Sequence, residues 1–142
     1  MQLVVGGAYS GKRALIREKE STFELFSAYN EQALKEWTSF LTSSTPVVVE
    51  GWEIWVYQQI TQGKSLETIK SYFFNEIDKI CAQEKVLEHS IYFIMLEMGR
   101  GIVPILEKDR HLRDLCGWIL QYSTKKADNV YYCWHGLTQK LK

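Results

Sequence analysis

The stretch Leu3-Val4-Val5-Gly6-Gly7-Ala8-Tyr9-Ser10-Gly11-Lys12-Arg13 decides the fold. A short apolar strand runs into a glycine-rich loop, and Ala14-Leu15-Ile16-Arg17-Glu18-Lys19 then reads as helix. Strand, loop and helix in that order are the context of the phosphate-binding pattern G-x-x-x-x-G-K-S/T. Glycines let backbone N–H groups curl around a phosphate without interference from Cβ, and the helix start adds the positive end of its dipole. Gly6, Gly7, Ala8, Tyr9, Ser10, Gly11, Lys12 and Arg13 are therefore the expected phosphate-binding residues, with Lys12 as a mobile charge for the terminal phosphates. One position departs from the pattern. Arg13 stands where a Ser or Thr hydroxyl normally meets Mg²⁺.

Outward from the loop, apolar segments alternate in type. Phe23 to Tyr29 reads as a second strand, and Asn30 as the cap of a helix from about Glu31 to Leu41. Ser43-Ser44-Thr45-Pro46 reads as a loop before the buried strand Val47-Val48-Val49. Helices follow over Ile54 to Ile60 and along the stripe Leu66, Ile69, Phe73, Ile77 and Ile80. Ile91 to Leu96 is another buried strand. A loop holding Gly99, Gly101 and Pro104 leads to a helix with the stripe Leu112, Leu115, Cys116, Ile119 and Tyr122. Asn129 to Trp134 and Leu137 to Leu141 close the chain as strands. This alternation predicts an α/β fold over 1–142, one P-loop nucleotide-binding domain with a mostly parallel sheet and helices on both faces.

In such sheets ligands sit at the carboxyl ends of the strands. Glu50 and Glu97 each close or follow an apolar strand, so both belong to the edge that carries the glycine loop. A carboxylate there can orient Mg²⁺, with Glu50 the expected ligand, or accept a proton from an attacking hydroxyl. With Lys12 they form the expected catalytic set. Arg100, between two glycines, is a candidate clamp for a phosphate or carboxylate. Trp52 and Trp55 could stack on a base or corrinoid ring, but a Trp opening a helix after a buried strand is more often core.

The 142 residues carry 17 basic and 17 acidic side chains, which cancel, so no general attraction to nucleic acid or anionic membrane is expected. No apolar run approaches membrane-spanning length, and the N-terminal one runs into the phosphate loop rather than forming a signal peptide. Cys81, Cys116 and Cys133 make neither a disulfide framework nor a metal pair. The expected location is the cytoplasm.

The segment Glu97-Met98-Gly99-Arg100-Gly101-Ile102-Val103-Pro104, with Arg110-His111-Leu112-Arg113-Asp114-Leu115-Cys116-Gly117, resembles the bifunctional adenosylcobinamide kinase/adenosylcobinamide-phosphate guanylyltransferases. Their pattern is roughly E-V-G-x-G-I-V-P, then R-x-F-R-D-x-x-G. Gly6, Gly7, Ser10, Gly11 and Lys12 match their phosphate loop, Glu50 and Trp55 their central strand end, and Ala127-Asp128-Asn129-Val130, Gly136 and Lys142 their closing segment. The resemblance implies a three-layer, RecA-like P-loop fold, a homotrimer, and a place in cobalamin assembly and salvage. It also implies ATP or GTP as a substrate with Mg²⁺, and a corrinoid as the other small molecule. Family members phosphorylate the aminopropanol hydroxyl of adenosylcobinamide, then attach GMP through a guanylylated histidine. The chain departs from them where that histidine belongs, between the first helix and Phe23. His89, His111 and His135 match no such position. Arg13 replaces serine and Glu53 replaces threonine. Two readings follow: an adenosylcobinamide kinase that has lost guanylyl transfer, or a non-catalytic nucleotide- or corrinoid-binding homologue acting as a regulator or assembly partner.

Overall fold

The computed structural model describes residues 1–40, 44–87 and 89–142. Six strands form one sheet: β1 (Gln2–Gly6), β2 (Glu24–Ser27), β3 (Val47–Glu50), β4 (Ile91–Leu96), β5 (Asn129–Trp134) and β6 (Leu137–Lys140). Their spatial order is β2-β3-β4-β1-β5-β6, with every pairing parallel except the β5–β6 hairpin. The α/β class and mostly parallel sheet are as the sequence predicts. β1 lies at the centre because Leu3, Val4 and Val5 are apolar on both faces, as a strand covered on both sides must be.

Helices α1 (Lys12–Lys19), α2 (Trp52–Thr61), α3 (Leu66–Glu84) and α4 (Glu107–Lys126) divide unequally between the faces. Among the described helices α1 alone covers one side, packing Leu15 and Ile16 against Val4, Val48, Tyr92, Ile94 and Cys133. The opposite side takes α2, α3 and α4, and its core holds Phe26, Trp52, Trp55, Phe73, Phe93 and Leu115. The predicted stripe Ile69, Phe73, Ile77 and Ile80 is buried there, so its helical spacing is core packing. All three cysteines are unpaired.

The segment after β2 differs from the expectation. The strand ends at Ser27, and Ala28–Asn30 turns as a 3₁₀ helix instead of continuing to Tyr29. Asn30 caps no helix. Glu31 adopts φ 62°, a left-handed conformation that stops helical winding, and only a 3₁₀ helix forms, over Leu34–Phe40. The cause is long-range bonding. The Ser27 N–H donates to Gln32 Oε1 (2.7 Å), and the Trp55 indole donates to the Gln32 carbonyl (2.7 Å), pinning the chain where a helix would have to start. The Leu41 end of the expected helix and Ser43 of the expected loop lie outside the described residues.

Candidate nucleotide-binding cleft

The chain leaves β1 toward β2 on one side and leaves β4 toward β5 on the other, so the carboxyl ends of these neighbours form a crevice of the kind that binds ligands in α/β sheets. The glycine loop fills that position. Gly6 has no room for a side chain: a Cβ there would stand 2.3 Å from the Cys133 carbonyl oxygen and 2.5 Å from Ser10 Oγ. Gly11, at φ 98°, starts α1 in the left-handed region without a side-chain cap, so the helix start faces outward unblocked. The Gly136 N–H donates to the Ser10 carbonyl (3.1 Å), tying the loop to the β5–β6 turn. Tyr9, at φ 55°, projects fully into solvent at the loop tip.

A cleft of about 560 Å³ opens beside the loop, lined by its residues from Ala8 to Lys12, by Arg13 and Ala14, and by Tyr29, Glu50, Gly51, Glu53, Ile94 and Leu96. Lys12 is 8% exposed and folds onto its own loop, donating to the carbonyls of Gly6 (3.1 Å) and Gly7 (2.5 Å) and lying 3.5 Å from Ser10 Oγ. Burial lowers its pKa, an effect opposed by the negative charges of Glu53 and Glu50 and by Cys133. Arg13 reaches across to the end of β3. Its guanidinium takes both Glu50 oxygens: Nε donates to Oε2 (2.9 Å) and Nη2 to Oε1. The Glu50 side chain is 3% exposed, whereas that of Arg13 is 49% exposed. The hydrogen bond to Glu50 raises the Arg13 pKa, against a smaller opposing effect of burial. Ser27, opposite Glu50 in the β2–β3 register, donates its hydroxyl to Oε1 (2.9 Å). Tyr29 and Glu53 form a second wall, the phenol donating to Glu53 Oε1, and burial together with that bond pushes the Tyr29 pKa up.

Of the sequence-predicted residues, the cleft brings together Ala8 to Arg13 with Glu50. Glu97 stands elsewhere. Residues two apart on a strand share a face, so Ile94 and Leu96 look into the cleft and Glu97, just beyond β4, continues on the other face. It accepts from Tyr132 OH (2.8 Å) and from Arg100 Nε (3.0 Å), and the Arg100 guanidinium lies over the Tyr132 ring at 5.6 Å. Trp52 and Trp55 are packed core, 5.6 Å apart edge to face, with no ring offered to a ligand. The histidines are dispersed. His89 precedes β4 at the opposite sheet edge, its Nε2 buried with no hydrogen-bond partner among the described residues; His111 on α4 lies 3.7 Å from Glu107 Oε1; His135, at φ 49°, sits in the β5–β6 turn against Trp134. Ser27, Tyr29 and Gly136 are site residues that sequence reasoning missed. A polar Ser ending an apolar strand was the one local signal, and the other two depend on tertiary contact.

The residues present do not fit the Mg²⁺ site expected at Glu50. The hydroxyl that would bind the ion is replaced by a cation, and both carboxylate oxygens already accept from that cation. Among the described residues no group of three His, Cys, Asp or Glu side chains could hold a metal ion.

The fold and cleft define a three-layer α/β protein consistent with a P-loop domain. The family model described as cobinamide kinase / cobinamide phosphate guanyltransferase matches residues 16–141, and the chain belongs to that family. The match begins just beyond the glycine loop and includes Glu50, Glu97 and Arg100. No curated protein matches the chain. The family assignment supports an enzyme of cobalamin biosynthesis that acts on cobinamide with a nucleotide substrate. No described helix is long and apolar enough to cross a membrane.

Proposed function

We propose that 1–142 is a single P-loop nucleotide-binding domain and an adenosylcobinamide kinase whose guanylyl-transfer step is lost. The observation that carries the reading is the cleft where Lys12, Arg13 and Glu50 converge beside the glycine loop. Phosphoryl transfer rests mainly on positioning and charge stabilisation, so these few groups are enough. The nucleotide, ATP or GTP, lies with its phosphates along Gly6 to Arg13. Lys12 exchanges its loop carbonyls for the terminal phosphate, and Glu50 positions Arg13. The bond between the γ-phosphorus and the β-bridging oxygen breaks as the aminopropanol oxygen bonds to phosphorus, and the hydroxyl proton passes to a carboxylate. Glu97 and Arg100, bonded to each other outside the nucleotide cleft, are the candidate contacts for the incoming corrinoid substrate. Loss of the second activity follows from the departure before Phe23, because a covalent intermediate needs a nucleophile in line with the α-phosphate. Cytoplasmic location and a trimeric assembly complete the reading, on the family resemblance.

The non-catalytic alternative has one observation in its favour: Lys12 and Arg13 are both already engaged by protein groups. Incubation with adenosylcobinamide and either ATP or GTP, in the presence or absence of Mg²⁺, separates the two. Adenosylcobinamide phosphate formed by the wild type and not by Lys12→Ala supports the kinase. Nucleotide binding without product supports the regulator.

A further inference from the structure

We propose that Arg13, held by Glu50, takes the place of a metal ion at the phosphates, so that this cleft binds its nucleotide as the free polyanion rather than as the Mg²⁺ complex. The inference rests on the nucleotide-binding reading and says in which form the ligand is taken. Arg13 follows the loop lysine, the position from which a hydroxyl ordinarily reaches Mg²⁺. A guanidinium there brings positive charge to the same place by covalent attachment. Its partner is the acidic group at the end of β3, one strand removed from β1 across β4, and an acidic residue at a strand end also serves the metal in proteins with this loop.

Only two of its N–H donors are directed at Glu50, through Nε and Nη2. The remaining donors belong to a half-exposed group that lines the cleft, and a planar guanidinium can grip two oxygens of one phosphate. Lys12 lies next to it in sequence and lines the same cleft. Entry of Mg²⁺ would require Arg13 to leave Glu50 and would place a dication beside a guanidinium. A buried carboxylate gives up such a partner only at considerable cost. Ser27 also donates to Glu50 Oε1, so the acceptor is fixed before any ligand arrives.

Calorimetric titration of the full chain with GTP and with ATP, in excess Mg²⁺ and in excess EDTA, tests this. The expected result is that the wild type binds one of these nucleotides in EDTA within about threefold of its affinity in Mg²⁺. Arg13→Ser should bind that nucleotide about tenfold to a hundredfold more weakly in EDTA, the range for losing a charge-assisted contact, with part of the loss restored by Mg²⁺. The Arg13→Ser/Glu50→Gln pair removes both charges and avoids an unpaired buried carboxylate, so the same loss in that variant, with unchanged circular dichroism, excludes misfolding as the cause. Wild-type binding at least tenfold tighter in Mg²⁺, or no loss in either variant in EDTA, overturns the proposal. Metal-dependent binding that Lys12→Ala abolishes would overturn it while leaving the cleft as the nucleotide site. If neither nucleotide binds the wild type under either condition, the proposal and the cleft reading fall together.

Discussion

Gly6 and Gly7 are neighbours in sequence, yet the packing around them makes opposite demands. A methyl group on Gly6 would run into backbone, the Cys133 carbonyl, which cannot move without disturbing β5; one on Gly7 meets nothing within 4 Å. Gly6→Ala should therefore destabilise the protein by about 1–3 kcal/mol, the usual cost of overpacking. Gly7→Ala should stay within about 0.5 kcal/mol of wild type. Urea denaturation of the two variants checks this, and equal effects would contradict the described loop geometry. Lys12 belongs to the same scale. Among the described residues its Nζ bonds only loop atoms, so Lys12→Ala should weaken nucleotide binding by about tenfold or more, the loss of a charged phosphate contact. Unchanged affinity in a calorimetric titration would mean that the loop is only a turn.

Among the elements, the 3₁₀ helix Leu34–Phe40 depends most on distant partners. The Trp37 indole donates to Glu76 Oε2 (2.8 Å), a buried carboxylate of α3 that Lys79 also engages (2.7 Å). Trp37→Phe keeps most of the ring and removes this donor, so a loss of about 1–3 kcal/mol is expected in chemical denaturation. α3 and α4 are joined by Asp78, which accepts from Tyr122 OH (2.7 Å) and pairs with Lys126 (2.7 Å), while Phe74 stacks on Tyr122 at 4.0 Å. Burial raises the Asp78 pKa, but the bonds from Lys126 and Tyr122 outweigh it and hold the carboxyl below its usual 3.8. A depressed folded-state pKa means that this stability is present above the unfolded value and is lost as pH falls through the folded one. Asp78→Asn should thus be less stable than wild type at pH 7 by about 0.2–1 kcal/mol. The difference should shrink in denaturation curves taken below about pH 4. These elements also show what was legible in sequence. β3 and β4 could be read because their apolar runs are local, as could the loop between β1 and α1. The helix expected after Asn30 failed because Gln32 and Trp37 answer to Ser27, Trp55 and Glu76, contacts no local pattern carries. Likewise the ion pair joining Arg13 to Glu50 spans 37 positions and exists only because α1 packs across the end of β3. The edge shared by Glu50 and Glu97 was foreseen, but their opposite faces depend on strand parity and register.

For the whole molecule, the sheet edge gathers the nucleotide cleft on the α1 face and the Glu97–Arg100–Tyr132 cluster on the other, with Glu97 and Arg100 opening the connection from β4 to α4. That connection exposes Ile102 (96%), Ile105 (92%) and Leu106 (66%), an apolar surface that water disfavours. Light scattering should accordingly give a mass about three times the 16.6 kDa chain, as the trimer expected from the family requires. Ile102→Asp/Ile105→Asp should shift it toward the monomer. The central claim is that phosphorylation survives while guanylyl transfer does not. One reaction tests it: wild-type protein, adenosylcobinamide and GTP, followed by mass spectrometry of both the corrinoid and the intact chain. The predicted result is adenosylcobinamide phosphate with no gain of mass on the protein. A gain equal to one GMP, abolished by substituting His89, His111 or His135, would contradict the claim by showing that a histidine of this chain still carries the second step.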